Sequence, residues 1–277
     1  MTEIERLQEN ANQINADFQA VKSAIVESGV EVPEGTRTQE YGAKVRKVYD
    51  NGKQAQYDAF WDAYLSNGTR YAFNTAFGGE GWTNNTFKPK YDITPHYAYM
   101  TFRATGISGD LVEILNECGV SLDFSESTMC YYIFSEATKI TRLGVMDFSS
   151  VSSTTGAEYA FYYCRALETI DEIILPNKRL NLGNAFGGCI ALKNVKFGGG
   201  AIQYNISFAD CPLTRASIES VMNALSTDAS GYAVTFSRAA VNTAFETSTG
   251  AADGSNSAEW EALKATRNTW TISLSPT

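Results

Sequence analysis

Ala160-Phe161-Tyr162-Tyr163-Cys164-Arg165-Ala166-Leu167-Glu168-Thr169-Ile170 and Ala185-Phe186-Gly187-Gly188-Cys189-Ile190-Ala191-Leu192-Lys193-Asn194-Val195 are two versions of one phrase. A looser copy precedes them at Phe134, Ala137 and Ile140, and another follows at Phe208, Cys211 and Leu213. The steps between the phenylalanines are 27 residues (134 to 161), 25 (161 to 186) and 22 (186 to 208). Repetition at this period marks small units that bury their apolar edges only against their neighbours. The spacing therefore predicts that the middle of the chain is a short solenoid. Phe134, Ala137, Phe161, Cys164, Leu167, Phe186, Cys189, Leu192, Phe208, Cys211 and Leu213 would form its internal ladder. Ile173-Ile174-Leu175, closed by Pro176, and Val195-Lys196-Phe197, closed by Gly198-Gly199-Gly200, read as one strand per repeat.

The "AF..C..L..I" form of these phrases resembles BspA-type leucine-rich repeats, found in bacterial surface proteins and in phage tail or fibre proteins. The resemblance covers roughly residues 97 to 274, with Phe208-Ala209-Asp210-Cys211-Pro212-Leu213-Thr214, Glu259-Trp260 and Trp270 to Leu274 matching the segment that closes such arrays. The first units depart from it, since Ala137 and Thr105 stand where Cys is expected.

A second pattern lies at the N-terminus. Ile4, Leu7, Ala11, Ile14, Phe18, Val21 and Ile25 alternate at steps of three and four, with polar residues between them. This places them on the a/d seam of a helix about 32 Å long at 1.5 Å per residue. An amphipathic helix docked on its own domain would also carry a stripe. A strict a/d seam is narrower than a docking face, which favours self-association, and branched residues at both a and d suit a homotrimer. Gly29, Pro33 and Gly35 then end the helix. The run from Gly29 to Thr36, followed by Glu40 to Val48, is similar to a short module near the particle-proximal end of phage tail and fibre proteins.

The expected fold class is accordingly α+β: an N-terminal coiled-coil helix and helical stalk module, then a leucine-rich-repeat-like β-solenoid with an α/β C-terminal cap. The expected divisions are an oligomerising helix at 1–28, an attachment module at 29–66, a Gly/aromatic-rich linker at 67–96, the solenoid at 97–213 and the cap at 214–277. In the cap, Ile218, Val221, Met222 and Leu225 share a helical face behind Thr214 as N-cap, while Val234 to Phe236 and Trp270 to Leu274 read as strands around a helix near Ala258 to Ala265.

Composition narrows the function. With 277 residues, 44% of them hydrophobic, the chain can bury one large or two modest cores. A net charge of −9 argues against a nucleic-acid partner, which needs a Lys/Arg footprint. No run of 18 apolar residues exists, so no membrane insertion is expected. The acidic start, Met1 to Asn10, is unlike a signal peptide, so synthesis in the host cytoplasm without one is expected. Five cysteines without a Cys-x-x-Cys pair give weak metal or disulfide readings, and three occupy the repeat's small-residue slot as compact buried groups.

Catalysis finds little support. His96 is the single histidine, and no nucleophile elbow, zinc motif or phosphate-binding loop is present. Asp110, Glu113, Glu117, Asp123 and Glu126 follow no telling spacing for a carboxylate pair. The expectation is a non-enzyme without cofactor or metal. Binding suits the chemistry better, and Tyr131-Tyr132 and Tyr162-Tyr163, at corresponding places in neighbouring repeats, are the candidate ligand-binding residues.

The resemblance implies a virion structural protein, a tail or fibre component at the virion surface. It would contact other virion proteins through its N-terminal region and a host-surface glycan or protein through its repeats. A head fibre or capsid decoration protein that binds glycans or protects the particle is the alternative. A bacterial surface adhesin is a third reading, disfavoured by the missing signal.

Overall fold

A computed structural model describes residues 77–89, 92–95, 98–246 and 254–275. All of them lie in the second of the chain's two units, Asn67–Thr277. The heptad seam Ile4 to Ile25, the attachment module and His96 fall outside the described residues.

Strands β1 (Gly109–Asp110), β2 (Ile140–Asp147), β3 (Thr169–Leu175) and β4 (Asn194–Gly199) form a parallel sheet in sequence order. Leu143 pairs with Ile170 and Ile170 with Val195, so one buried row crosses the sheet, and Met146, Ile173 and Phe197 make a second. Parallel strands need a crossover, and here each crossover passes through a tight turn that carries one column phenylalanine.

Those turns stack. Phe102 donates its backbone N–H to Ile133, Phe134 to Ala160 and Phe161 to Ala185, at 2.8–3.1 Å. The rings of Phe77, Phe102, Phe134, Phe161, Phe186, Phe208 and Phe236 follow one another at centroid separations of 4.5–6.3 Å, all buried. Each such ring contributes about 2–3 kcal/mol of apolar burial, which is why the repeat is legible as a phenylalanine period.

The cysteine slot has a specific reason. The carbonyls of Phe102, Phe134, Phe161, Phe186 and Phe208 each accept the N–H three residues on, which leaves a second lone pair for a further donor. Cys164 Sγ donates to Phe134 O and Cys189 Sγ to Phe161 O, both at 3.0 Å, and Cys211 Sγ to Phe186 O at 3.6 Å. A thiol is small enough for the column and still satisfies a buried acceptor. Ala137, lacking a donor, fills the same slot one turn earlier and is equally buried.

Burial pushes the thiols up from about 9, Cys189 to about 12, because the thiolate would be desolvated. Cys130, Cys164 and Cys211 move the same way for the same reason. The unfolded chain therefore loses these protons first. The associated stability is complete below pH 9 and declines as the pH climbs toward 12. Alkylation of the native protein at neutral pH should label Cys118, the half-exposed one, and spare the four buried thiols until denaturant is added. Mass spectrometry reads the count directly.

The second sheet is separate. Strands β5 (Ile206–Phe208), β6 (Ala233–Phe236) and β7 (Thr271–Leu274) are again parallel, in the order β5-β6-β7. Four α-helices complete the described residues: α1 (Leu111–Cys118), α2 (Arg215–Ala224), α3 (Arg238–Phe245) and α4 (Ala258–Ala265). The expectation of an α+β class with one leucine-rich-repeat-like β-solenoid is thus overturned, and the arrangement is α/β, two small parallel sheets with helices. No long coiled coil is present among the described residues.

The physical reason lies at the open edge of β4. Where a fifth strand would pair, α2 lies instead, and its Ser217 and Ser220 hydroxyls accept the N–H groups of Val195 and Phe197 at 3.0 and 2.9 Å. Side chains thereby satisfy the edge and stop the sheet. The chain then restarts pairing on the phenylalanine side, where β5 and β6 carry Phe208 and Phe236.

Thr214 precedes α2 but makes no side-chain cap; its hydroxyl donates to Lys193 O at 3.2 Å. By contrast, Asp110 caps α1 through Val112 and Glu113 N–H, and Gly119 ends it in the left-handed region at φ 69°. Residues 77–89, read as linker, carry Phe77, the head of the column, and Phe87, which meet edge-on and both pack against Phe102.

Candidate binding surface

The turns that carry Phe102, Phe134, Phe161 and Phe186 share one backbone, with left-handed residues two before and two after the phenylalanine. Met100 and Ala104 flank Phe102, Tyr132 and Glu136 flank Phe134, Tyr159 and Tyr163 flank Phe161, and Asn184 and Gly188 flank Phe186, all at φ between 53° and 73°. Glycine occupies such positions without strain, whereas a tyrosine costs about 1 kcal/mol or more. Three tyrosines stand there nonetheless, which marks this edge of the fold.

Tyr99, Tyr131, Tyr132, Tyr159, Tyr162 and Tyr163 form one continuous row of rings. Tyr99 lies parallel to Tyr131 at 5.9 Å, Tyr131 meets Tyr132 edge-on at 4.5 Å, and Tyr132 stacks on Tyr159 at 4.7 Å and 4°. Tyr159 meets Tyr162 edge-on at 5.3 Å, and Tyr162 lies 4.6 Å from Tyr163. The structure thus brings all four candidate tyrosines together.

It adds Tyr99 and Tyr159, which spacing could have supplied. Tyr159 precedes Phe161 by two as Tyr132 precedes Phe134, and Tyr99 precedes Phe102 by three as Tyr131 precedes Phe134.

The row ends on glycine. A Cβ at Gly187 would touch the Tyr162 ring at 3.2 Å, and one at Gly188 the Tyr163 ring at 3.0 Å, so bare backbone seats both rings. Ring faces are therefore largely consumed within the row, and what reaches solvent is a line of ring edges and hydroxyls. Tyr163 is the most open, at 38% exposure, and the other five are half-buried.

Burial, then the charge and hydrogen bond of Tyr132, push the Tyr131 phenol up to about 12, and burial followed by Tyr163 raises that of Tyr162. Tyr131 and Tyr162 are thereby held as neutral, hydrogen-bonding groups.

Two arginines border it. The Arg103 guanidinium lies 5.7 Å from the Tyr132 ring and is tied to Glu136 at 2.8 Å. Arg165 lies 5.0 Å over the Tyr163 ring and makes no ion pair among the described residues. Such cation–π contacts hold a flexible side chain in one place.

Elsewhere, an apolar groove of about 330 Å³ runs between α1 and β2, lined by Leu115, Leu122 and Val145 among others. A larger one of about 540 Å³ lies over β3, β4 and α2. The outer sheet face is held by Arg142, which grips Asp171 through two bonds of 2.9 and 3.0 Å and reaches Asp110 at 3.2 Å. Glu113 and Glu117, of the acids named from sequence, lie on α1, while Asp123 and Glu126 follow it. Among the described residues no group of three His, Cys, Asp or Glu side chains is arranged to hold a metal ion.

Compared with known proteins, the chain matches no family model, no curated protein and no solved structure.

Proposed function

We propose that this chain is a structural protein of a phage virion, a tail or fibre component, that presents its tyrosine-edged domain for attachment to the host cell surface. The observation that carries the attachment is the row of six tyrosines, three of them kept at left-handed positions where glycine would be less strained. A sequence shaped by stability alone would place glycine or asparagine there, as it does at Gly188 and Asn184. Exposed tyrosine hydroxyls and ring edges suit a weak, polar contact with glycan or protein. The virion assignment is supported by the resemblance of the Phe/Cys/Leu phrases and of the Gly29 to Thr36 turn to phage proteins. Self-association through Ile4, Leu7, Ala11, Ile14, Phe18, Val21 and Ile25 would let several weak sites act together. A native mass of three chains at micromolar concentration supports it, and a clean monomer removes it.

Tyr163→Gly tests the attachment while sparing the fold. The change relieves a strained φ of 60°, so stability should hold or rise by about 0.5–1 kcal/mol. Purified native protein should compete with phage particles for host cells, and the variant should need at least about tenfold more to do so. Native protein that neither binds host cells nor competes would end the reading.

A further inference from the structure

Deepening the attachment reading, and resting on it, we infer that the open end of the tyrosine row, at Tyr163 and Arg165, is a subsite for an acidic saccharide bearing a carboxylate or sulfate group. Four residues after the column phenylalanines stand Gly81, Gly106, Thr138, Arg165, Ile190, Pro212 and Ala240, so Arg165 is the one cation in that series. The other arginine on this edge, Arg103, has its charge met by Glu136 at 2.8 Å. Arg165 has no carboxylate partner among the described residues, yet it is held 5.0 Å over the Tyr163 ring.

An exposed, fixed guanidinium without a counter-ion offers two parallel donors to a planar anion at little ordering cost. Neighbouring groups leave that site open. Gly188 contributes no side chain, and the Asp210 carboxylate beside it is engaged by the Gly188 N–H at 2.9 Å. One turn on from Arg165 stands Ile190, 59% exposed, an apolar wall for the C–H face of a sugar ring. On the other side the hydroxyls of Tyr162 and Tyr163 can bond sugar hydroxyls. Cation, hydroxyl row and apolar wall together match an acidic sugar better than a neutral one. The net charge of −9 disfavours a dense polyanion such as nucleic acid, so the ligand is one with sparse charge.

The test uses the full chain and three hexasaccharides of sparse or no charge: maltohexaose oxidised at its reducing end to bear one carboxylate, maltohexaose bearing one sulfate ester, and unmodified maltohexaose as the neutral arm. Titration calorimetry at low salt should show binding of one or both acidic probes. Affinity should fall as salt is raised, and by about tenfold or more in Arg165→Gln, with Arg165→Lys between the two. Binding of only one acidic probe supports the inference and identifies its anion. Equal binding of maltohexaose, or an Arg165→Gln protein that binds as the native one does, overturns it. Absence of acidic-sugar binding by a protein that still competes for host cells defeats this subsite and leaves attachment standing, whereas failure to compete defeats attachment itself. An unchanged melting temperature of Arg165→Gln shows that any loss is local.

Discussion

Phe161→Ala is expected to remove about 3–5 kcal/mol of folding stability. Phe161 is fully buried and has aromatic neighbours on three sides: Phe134 at 6.3 Å, Phe186 at 5.6 Å and Phe148 at 6.2 Å. Truncation leaves a void that none of these rings can fill, because each is fixed by its own turn. The Phe161 N–H to Ala185 O and the Cys189 thiol to Phe161 O also share the turn whose position the ring sets. Domains carry about 5–15 kcal/mol in total, so the variant sits near the edge of unfolding. Phe161→Leu, which retains most of the volume, should lose roughly 1–1.5 kcal/mol. Urea titration followed by circular dichroism gives both numbers from the midpoint shift. A Phe161→Ala protein within 1 kcal/mol of native would mean that the column is not the core.

The column owes its visibility in the sequence to size and period: a buried ring every 22 to 27 residues, with a small residue three on, leaves a mark that survives without any alignment. Phe102 belongs to the same column and reads only as a departing first unit, with Thr105 in the cysteine slot, while Phe77 and Phe236 carry Glu80 and Ala239 there with no leucine or isoleucine soon after, so the phrase does not mark them. The partition into two sheets was illegible for a different reason. It turns on Ser217 and Ser220, two unremarkable hydroxyls on a helix face, accepting the N–H groups of a strand edge 22 and 23 residues earlier. Hydrophobic pattern fixes which residues go inside and says little about which polar group closes an edge. At the candidate site, the tyrosine pairs could be read from their repetition. Their left-handed backbone could not, since nothing in Tyr132, Tyr159 or Tyr163 as residue types favours it. The role of Arg165 likewise depends on where Glu136 stands relative to Arg103 across the stacked turns.

Gly200→Ala is expected to cost at least about 2–3 kcal/mol, and Gly198→Ala less than about 1 kcal/mol, although sequence gives both glycines the same task of ending a strand. The difference is in what a methyl group meets. At Gly200 it would overlap the carbonyl of Pro176, its oxygen and also its carbon at 2.7 Å, with Asn177 N at 3.2 Å. Those are backbone atoms of the turn that closes β3, and Gly200 N–H is bonded to Leu175 O at 2.9 Å, so neither chain can retreat without losing that bond. At Gly198 the nearest atoms belong to the end of the Glu172 side chain, which can swing away. What it would give up is an ion pair with Lys196 at 2.9 Å whose lysine is 64% exposed, and such surface pairs contribute little. Gly199 between them sits at φ 74° with its Cβ position 2.6 Å from Leu175 O, so Gly199→Ala should resemble Gly200→Ala. Thermal melts of the three variants rank them. Equal, small losses at all three positions would show that the end of β4 does not pass as close to Pro176 as described, and would loosen the case that the phenylalanine column dictates the spacing of the turns.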